Sequence, residues 1–140
     1  MSNTFINPIV CEVPVNCIDY LNGYILAVGG GGGKKFGVRN YLWSYKIKGH
    51  LILKNPSNTL EYPDNCLPLL IKSINKTDSF IVTLNYDINL YSLNISDGSF
   101  IEFQKINIIK CNNTSQYITS LSFENAHLNY TAFGDSTGYI

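Results

Sequence analysis

Tyr41, Trp43, Tyr45 and Ile47 alternate with Leu42, Ser44 and Lys46, so every second residue of this stretch is aromatic or aliphatic. A side-chain period of two belongs to an extended strand with one face toward a core. Further candidate strands, some weakly alternating and some continuous apolar runs, fall at 13–20, 24–28, 51–53, 67–74, 79–84, 88–93, 99–109, 116–123 and 129–133. β-branched and aromatic residues fill them, which favours sheet. No amphipathic helix of ten or more residues is visible. Turn chemistry separates the runs: Asn22-Gly23, Gly49, the stretch 75–78, Asn85 to Asp87, Asp97-Gly98, Glu124-Asn125 and the stretch 134–138. The polar, proline-containing segment 54–65 reads as a loop.

The second strand of each cycle begins near Tyr24, Ser79 and Asn129, a spacing of roughly 50 residues that suits propeller blades of about four strands. The chain then divides into an N-terminal extension (1–12), a first blade (13–54), a second blade (67–109) and the start of a third (116–140). That makes an all-β, WD-repeat-like β-propeller of about two and a half blades out of an expected seven. An antiparallel sandwich of about ten strands would alternate in the same way, and periodicity weighs the two equally. The Gly-His and Trp-Asp marks of WD repeats are absent, with Trp43-Ser44 a faint echo. A partial ring leaves sheet edges open, so this polypeptide is expected to be poorly soluble or to associate through its last sheet.

Composition narrows the function classes. Ten basic and ten acidic residues cancel, and nine of the ten basic residues are lysine. Such a chain lacks the basic face that nucleic acid demands, so no nucleic-acid partner is expected. No apolar run reaches the length of a membrane span and no signal peptide opens the chain. The 17 Asn and 17 Ile point to AT-rich codons, so isolated asparagines and the N-x-S/T sequons at Asn75, Asn94, Asn112, Asn113 and Asn129 carry little weight. Cys11, Cys17, Cys66 and Cys111 form no C-x-x-C pair, and His50 and His127 lie far from them. The cysteines are expected to be small buried residues in a reducing compartment rather than zinc ligands. No paired carboxylates, histidine-centred cluster or nucleophile motif suggests an enzyme.

Gly29, Gly30, Gly31, Gly32 and Gly33 stand against the codon skew, and with Lys34 to Asn40 they form a glycine-rich loop. The Walker pattern fails at Val28 and at Lys35, where a glycine and a hydroxyl are needed, and no G-x-G-x-x-G frame fits. Without side chains, such a run can offer carbonyl oxygens to a monovalent cation or amides to an anion, or be a plain surface loop.

A first-blade strand at 24–28, the glycine run, a short variable piece and then Gly37-Val38-x-Asn40 before the alternating strand resemble the PREB/Sec-twelve family. Members are guanine-nucleotide exchange factors for the Sar-type GTPase of the COPII coat, seven-bladed propellers facing the cytosol from the endoplasmic reticulum. The similarity is sharpest over 13–47. It implies a protruding loop, 29–40, organised by a potassium ion on the backbone of Gly29 to Gly33 and pressed against the GTPase. Asn40 is the residue implied for exchange, with Gly37, Val38 and Arg39 implied as GTPase contacts. Membrane attachment is implied only through a C-terminal anchor beyond this sequence. Arg39 departs from the proline or polar residue expected there, and Lys34, Lys35 and Phe36 lack the acidic or amide groups of some relatives. The competing expectation is a propeller or sandwich scaffold that binds proteins without exchange activity.

Overall fold

The computed structural model describes residues 8–74, 76–85, 87–107, 118–123 and 131–135. Cys111, His127, the sequons at Asn75, Asn112, Asn113 and Asn129, the turn at Glu124-Asn125 and the final Tyr139-Ile140 lie outside these residues. The chain is all-β, and a single 3-10 turn at Lys34–Phe36 is the only helical element among the described residues. Among these residues no helix is long and apolar enough to cross a membrane.

The first sheet is an antiparallel meander of β1 (Val15–Leu21), β2 (Tyr24–Gly29) and β3 (Asn40–Lys48). Asn22 and Gly23 both take positive φ, 45° and 87°, so a two-residue turn places Tyr24 opposite Leu21. The outer edge of β3 is shared. Its C-terminal end pairs with the two-residue β4 (Leu51–Ile52), and its N-terminal half pairs with β5 (Asn58–Tyr62). β5 corrects the expectation of a loop over 54–65 and carries the first sheet on to Tyr62. Leu60 and Tyr62 point inward while Thr59 and Glu61 face solvent. That alternation is too short, between Pro56 and Pro63, to outweigh the turn-forming residues around it.

The second sheet runs β6 (Pro68–Ser73), β7 (Ser79–Leu84), β8 (Asp87–Leu93) and β9 (Phe100–Asn107), each antiparallel to the next. A third begins with β10 (Ile118–Phe123) and β11 (Thr131–Asp135). β11 extends to Asp135, into the stretch expected to be a turn; the remainder of that stretch lies outside the described residues.

The run Phe80-Ile81-Val82-Thr83-Leu84, apolar except for Thr83, is buried on both faces, and the Thr83 hydroxyl accepts the Leu70 amide at 3.1 Å. On one face Phe80, Val82, Tyr91 and Leu93 pack against Leu21, Leu26, Val28 and Leu42 of the first sheet. Phe80 stacks on Tyr91 at 5.3 Å, and Phe100 meets both rings edge-on at 6.1 Å. On the other face Ile81, Ile88 and Leu90 enclose Ile118 of β10. The second sheet is thus the middle layer of three.

Polar ties fix the first pair of layers. Asp19 Oδ2 accepts the Ser73 amide and hydroxyl at 2.6 and 2.7 Å. The hydroxyls of Tyr24 and Ser44 donate to Ile95 and Gly98 carbonyls at 3.0 and 2.6 Å. The far face of the first sheet carries Ala27, Trp43 and Tyr45 beneath Ile9 and Val13. Cys11, Cys17 and Cys66 are free thiols and half-buried, rather than buried as expected. On Cys66 the desolvation still pushes the thiol above its ordinary value.

Candidate functional site: the glycine-rich loop

The loop leaves the first sheet from the end of β2 and returns at the start of β3. Gly29 is the last residue of β2, opposite Tyr41, and the Gly30 amide donates to the Pro14 carbonyl at 2.9 Å. From Gly31 the chain rises into a small hairpin. Gly33 and Val38 bridge its two arms, and Lys34–Phe36 form a single 3-10 turn that Gly37 ends in the left-handed region, φ 74°. The Gly33 carbonyl accepts both the Phe36 and the Val38 amides, at 3.0 and 3.3 Å.

The base of the hairpin is fastened to the segment that follows β5. Asn40 has no exposed surface. Its Oδ1 accepts the Gly32 amide at 3.2 Å, and its Nδ2 donates to the Pro63 and Asp64 carbonyls at 3.3 and 3.5 Å. Asp64 Oδ1 accepts the Lys34 amide at 3.0 Å. Gly33 sits against Asp64 so closely that a Cβ would lie 2.5 Å from the Asp64 Cα, and its φ of 94° is a second requirement for glycine.

Charge follows the same geometry. Arg39 pairs with Glu61 at 3.0 Å and Lys34 approaches the same carboxylate at 4.0 Å. Arg39 is held above its ordinary pKa, first by the neighbouring Tyr41 hydroxyl and then by Glu61. Both pairs are solvent-exposed, so they guide the loop more than they stabilise it. Lys34, Lys35, Phe36 and Gly37 form the exposed apex. Phe36 is 68% exposed, and the Lys35 ammonium lies 5.8 Å from its ring centre.

The residues expected from the sequence therefore fall into two groups. Gly37, Arg39 and the half-buried Val38 are near the surface; the Val38 side chain lies over Gly31. Asn40 is different. It is buried, and its amide bonds inside the chain to Gly32, Pro63 and Asp64, where it sets the shape of the loop. Phe36, Glu61 and Asp64 were not anticipated. The signal for Phe36 is an aromatic residue between lysines and a glycine in an otherwise polar apex; for Asp64 it is a turn residue directly after Pro63.

Among the described residues no three His, Cys, Asp or Glu side chains converge on a metal position. A potassium cage of the kind implied for the glycine run would need several carbonyl oxygens turned together and free of N–H donors. Here the Gly33 carbonyl is taken by two amides and Asn40 Oδ1 by a third. No step below is routed through such an ion.

No family model matches the chain, and no curated protein matches it either.

Proposed function

We propose that this chain is part of a WD-repeat-like β-propeller that acts as a guanine-nucleotide exchange factor for a Sar-type GTPase at the endoplasmic reticulum. The loop 29–40 would be its contact element. One observation carries the reading: a protruding apex, Lys34 to Gly37, is exposed above a base that in-chain bonds through Asn40 and Asp64 already hold in shape. A pre-shaped loop loses little conformational entropy on docking. The resemblance over 13–47 supplies the partner. A five-stranded antiparallel sheet followed by a four-stranded antiparallel meander, the second covered on both faces, favours successive blades over a two-layer sandwich. Membrane attachment, where present, would come from sequence C-terminal to these residues.

Exchange requires the loop to bind the nucleotide-free GTPase better than the loaded form, since only differential affinity shifts that equilibrium. Phe36 and Val38 offer the apolar surface and Lys35 an exposed cation for such a contact. Labelled GDP release from the cognate Sar-type GTPase tests the reading. The chain should accelerate release, and Phe36→Ala should abolish most of the acceleration while leaving the fold intact. No acceleration by the wild-type chain overturns it. The burial of Asn40 favours a second reading, a binding scaffold without exchange activity. That reading predicts GTPase capture with an unchanged release rate.

A further inference from the structure

We propose that the glycine-rich loop of this chain is ordered by a side-chain clamp, Asn40 and Asp64, and not by a monovalent cation. The clamp has three parts. The Asn40 amide bridges Gly32 on the rising arm to the Pro63 and Asp64 carbonyls behind it. Asp64 Oδ1 takes the Lys34 amide at the foot of the 3-10 turn, at 3.0 Å. Gly33 is seated on the Asp64 backbone with no room for a side chain.

These contacts perform what an ion in the loop would perform. They satisfy the Gly32 and Lys34 amides, they fix the angle between the two arms, and they do so from a second element, the segment after β5. They also occupy oxygens that a cation would require. The Gly33 carbonyl and Asn40 Oδ1 both already accept N–H donors, so these two oxygens are engaged without an ion. Asp64 enters the clamp as a hydrogen-bond acceptor. Its charge is incidental to that role, and this separates the clamp from an ion site, in which a carboxylate would contribute mainly by being negative.

Asn40 and Asp64 are accordingly positioning residues. Their effect on exchange rests on the function proposed above, but their effect on the loop does not, so the decisive measurement is made on the free chain. Residue-resolved amide hydrogen exchange at Gly32 and Lys34 is followed in potassium chloride, sodium chloride and tetramethylammonium chloride, the last too large for a carbonyl cage. Protection at both amides should agree within about twofold across the salts. Asp64→Ala should lose the protection at Lys34 while β2 and β3 keep theirs, which shows that the sheet remains folded. Asp64→Asn, neutral but still an acceptor, should restore it. Protection that rises about tenfold or more in potassium alone, or failure of Asp64→Asn to restore what Asp64→Ala removes, overturns the clamp. Either result leaves the exchange reading to be judged separately by GDP release.

Discussion

Gly33 concentrates two demands at one position: a left-handed φ of 94° and a neighbour, Asp64, that leaves no space for a methyl group. Gly33→Ala should therefore destabilise the chain by about 1–3 kcal/mol in urea titration, because backbone strain and a steric clash act together. A loss of a few tenths would mean that the segment around Asp64 yields. Asn40→Ala removes the acceptor of the Gly32 amide and the donor to two carbonyls, all at a fully buried position. Its expected cost is also about 1–3 kcal/mol, from the loss of three partly buried hydrogen bonds. Phe36→Ala, at the exposed apex, should change stability by less than about 0.5 kcal/mol. Asn40 also shows how far the sequence could be read. An asparagine between a loop and a strand is equally suited to touching a partner and to tying a turn. The tie to a turn depends on Pro63 and Asp64, more than twenty residues away in sequence, and so is not legible locally.

At the level of elements, apolar runs bounded by turn residues, and clean alternation in β3, locate β2, β3, β7 and β8 within a residue or so, because each is largely buried. β5 was missed for the converse reason. It is an edge of the first sheet, with Thr59 and Glu61 in solvent, and prolines stand on either side. Yet β5 supplies Tyr62, whose hydroxyl donates to the Tyr91 hydroxyl at 2.9 Å, which in turn donates to Glu102 at 3.0 Å. This chain of hydroxyls joins the outer strands of the two sheets. Burial raises the Tyr91 pKa to about 12 and pushes Tyr62 well above the usual tyrosine value of 10.0. The unfolded tyrosines ionise first as pH rises, so the stability these groups confer is complete below pH 10 and falls as pH approaches 12. The melting temperature should drop across that interval, and Tyr91→Phe should flatten the drop. At neutral pH the same variant should lose about 1 kcal/mol for the missing hydrogen bonds. An alkaline limb identical in wild type and variant would exclude this network as its source.

Across the whole molecule, the first two sheets share one apolar interior, so neither has a complete core of its own. They should unfold together. The single tryptophan, Trp43, reports on the first sheet, and far-ultraviolet circular dichroism reports on all strands. The two transitions should coincide in urea. An earlier tryptophan transition would show the first sheet opening independently. Phe80→Ala, at the centre of the shared interior, should cost about 3–5 kcal/mol and shift both probes equally. The layers also meet through the turn between β8 and β9. There Gly98 lies under the Tyr24 ring and against Ser57, and its carbonyl receives the Ser44 hydroxyl. Hairpin tips are ordinarily where a chain accepts an inserted tag or a protease recognition sequence. This tip is instead a plug set into its neighbour, and an insertion between Asp97 and Gly98 would pry the sheets apart. Gly49, with open space around it, and the exposed His50 beside it form the permissive place to lengthen the chain or attach a label.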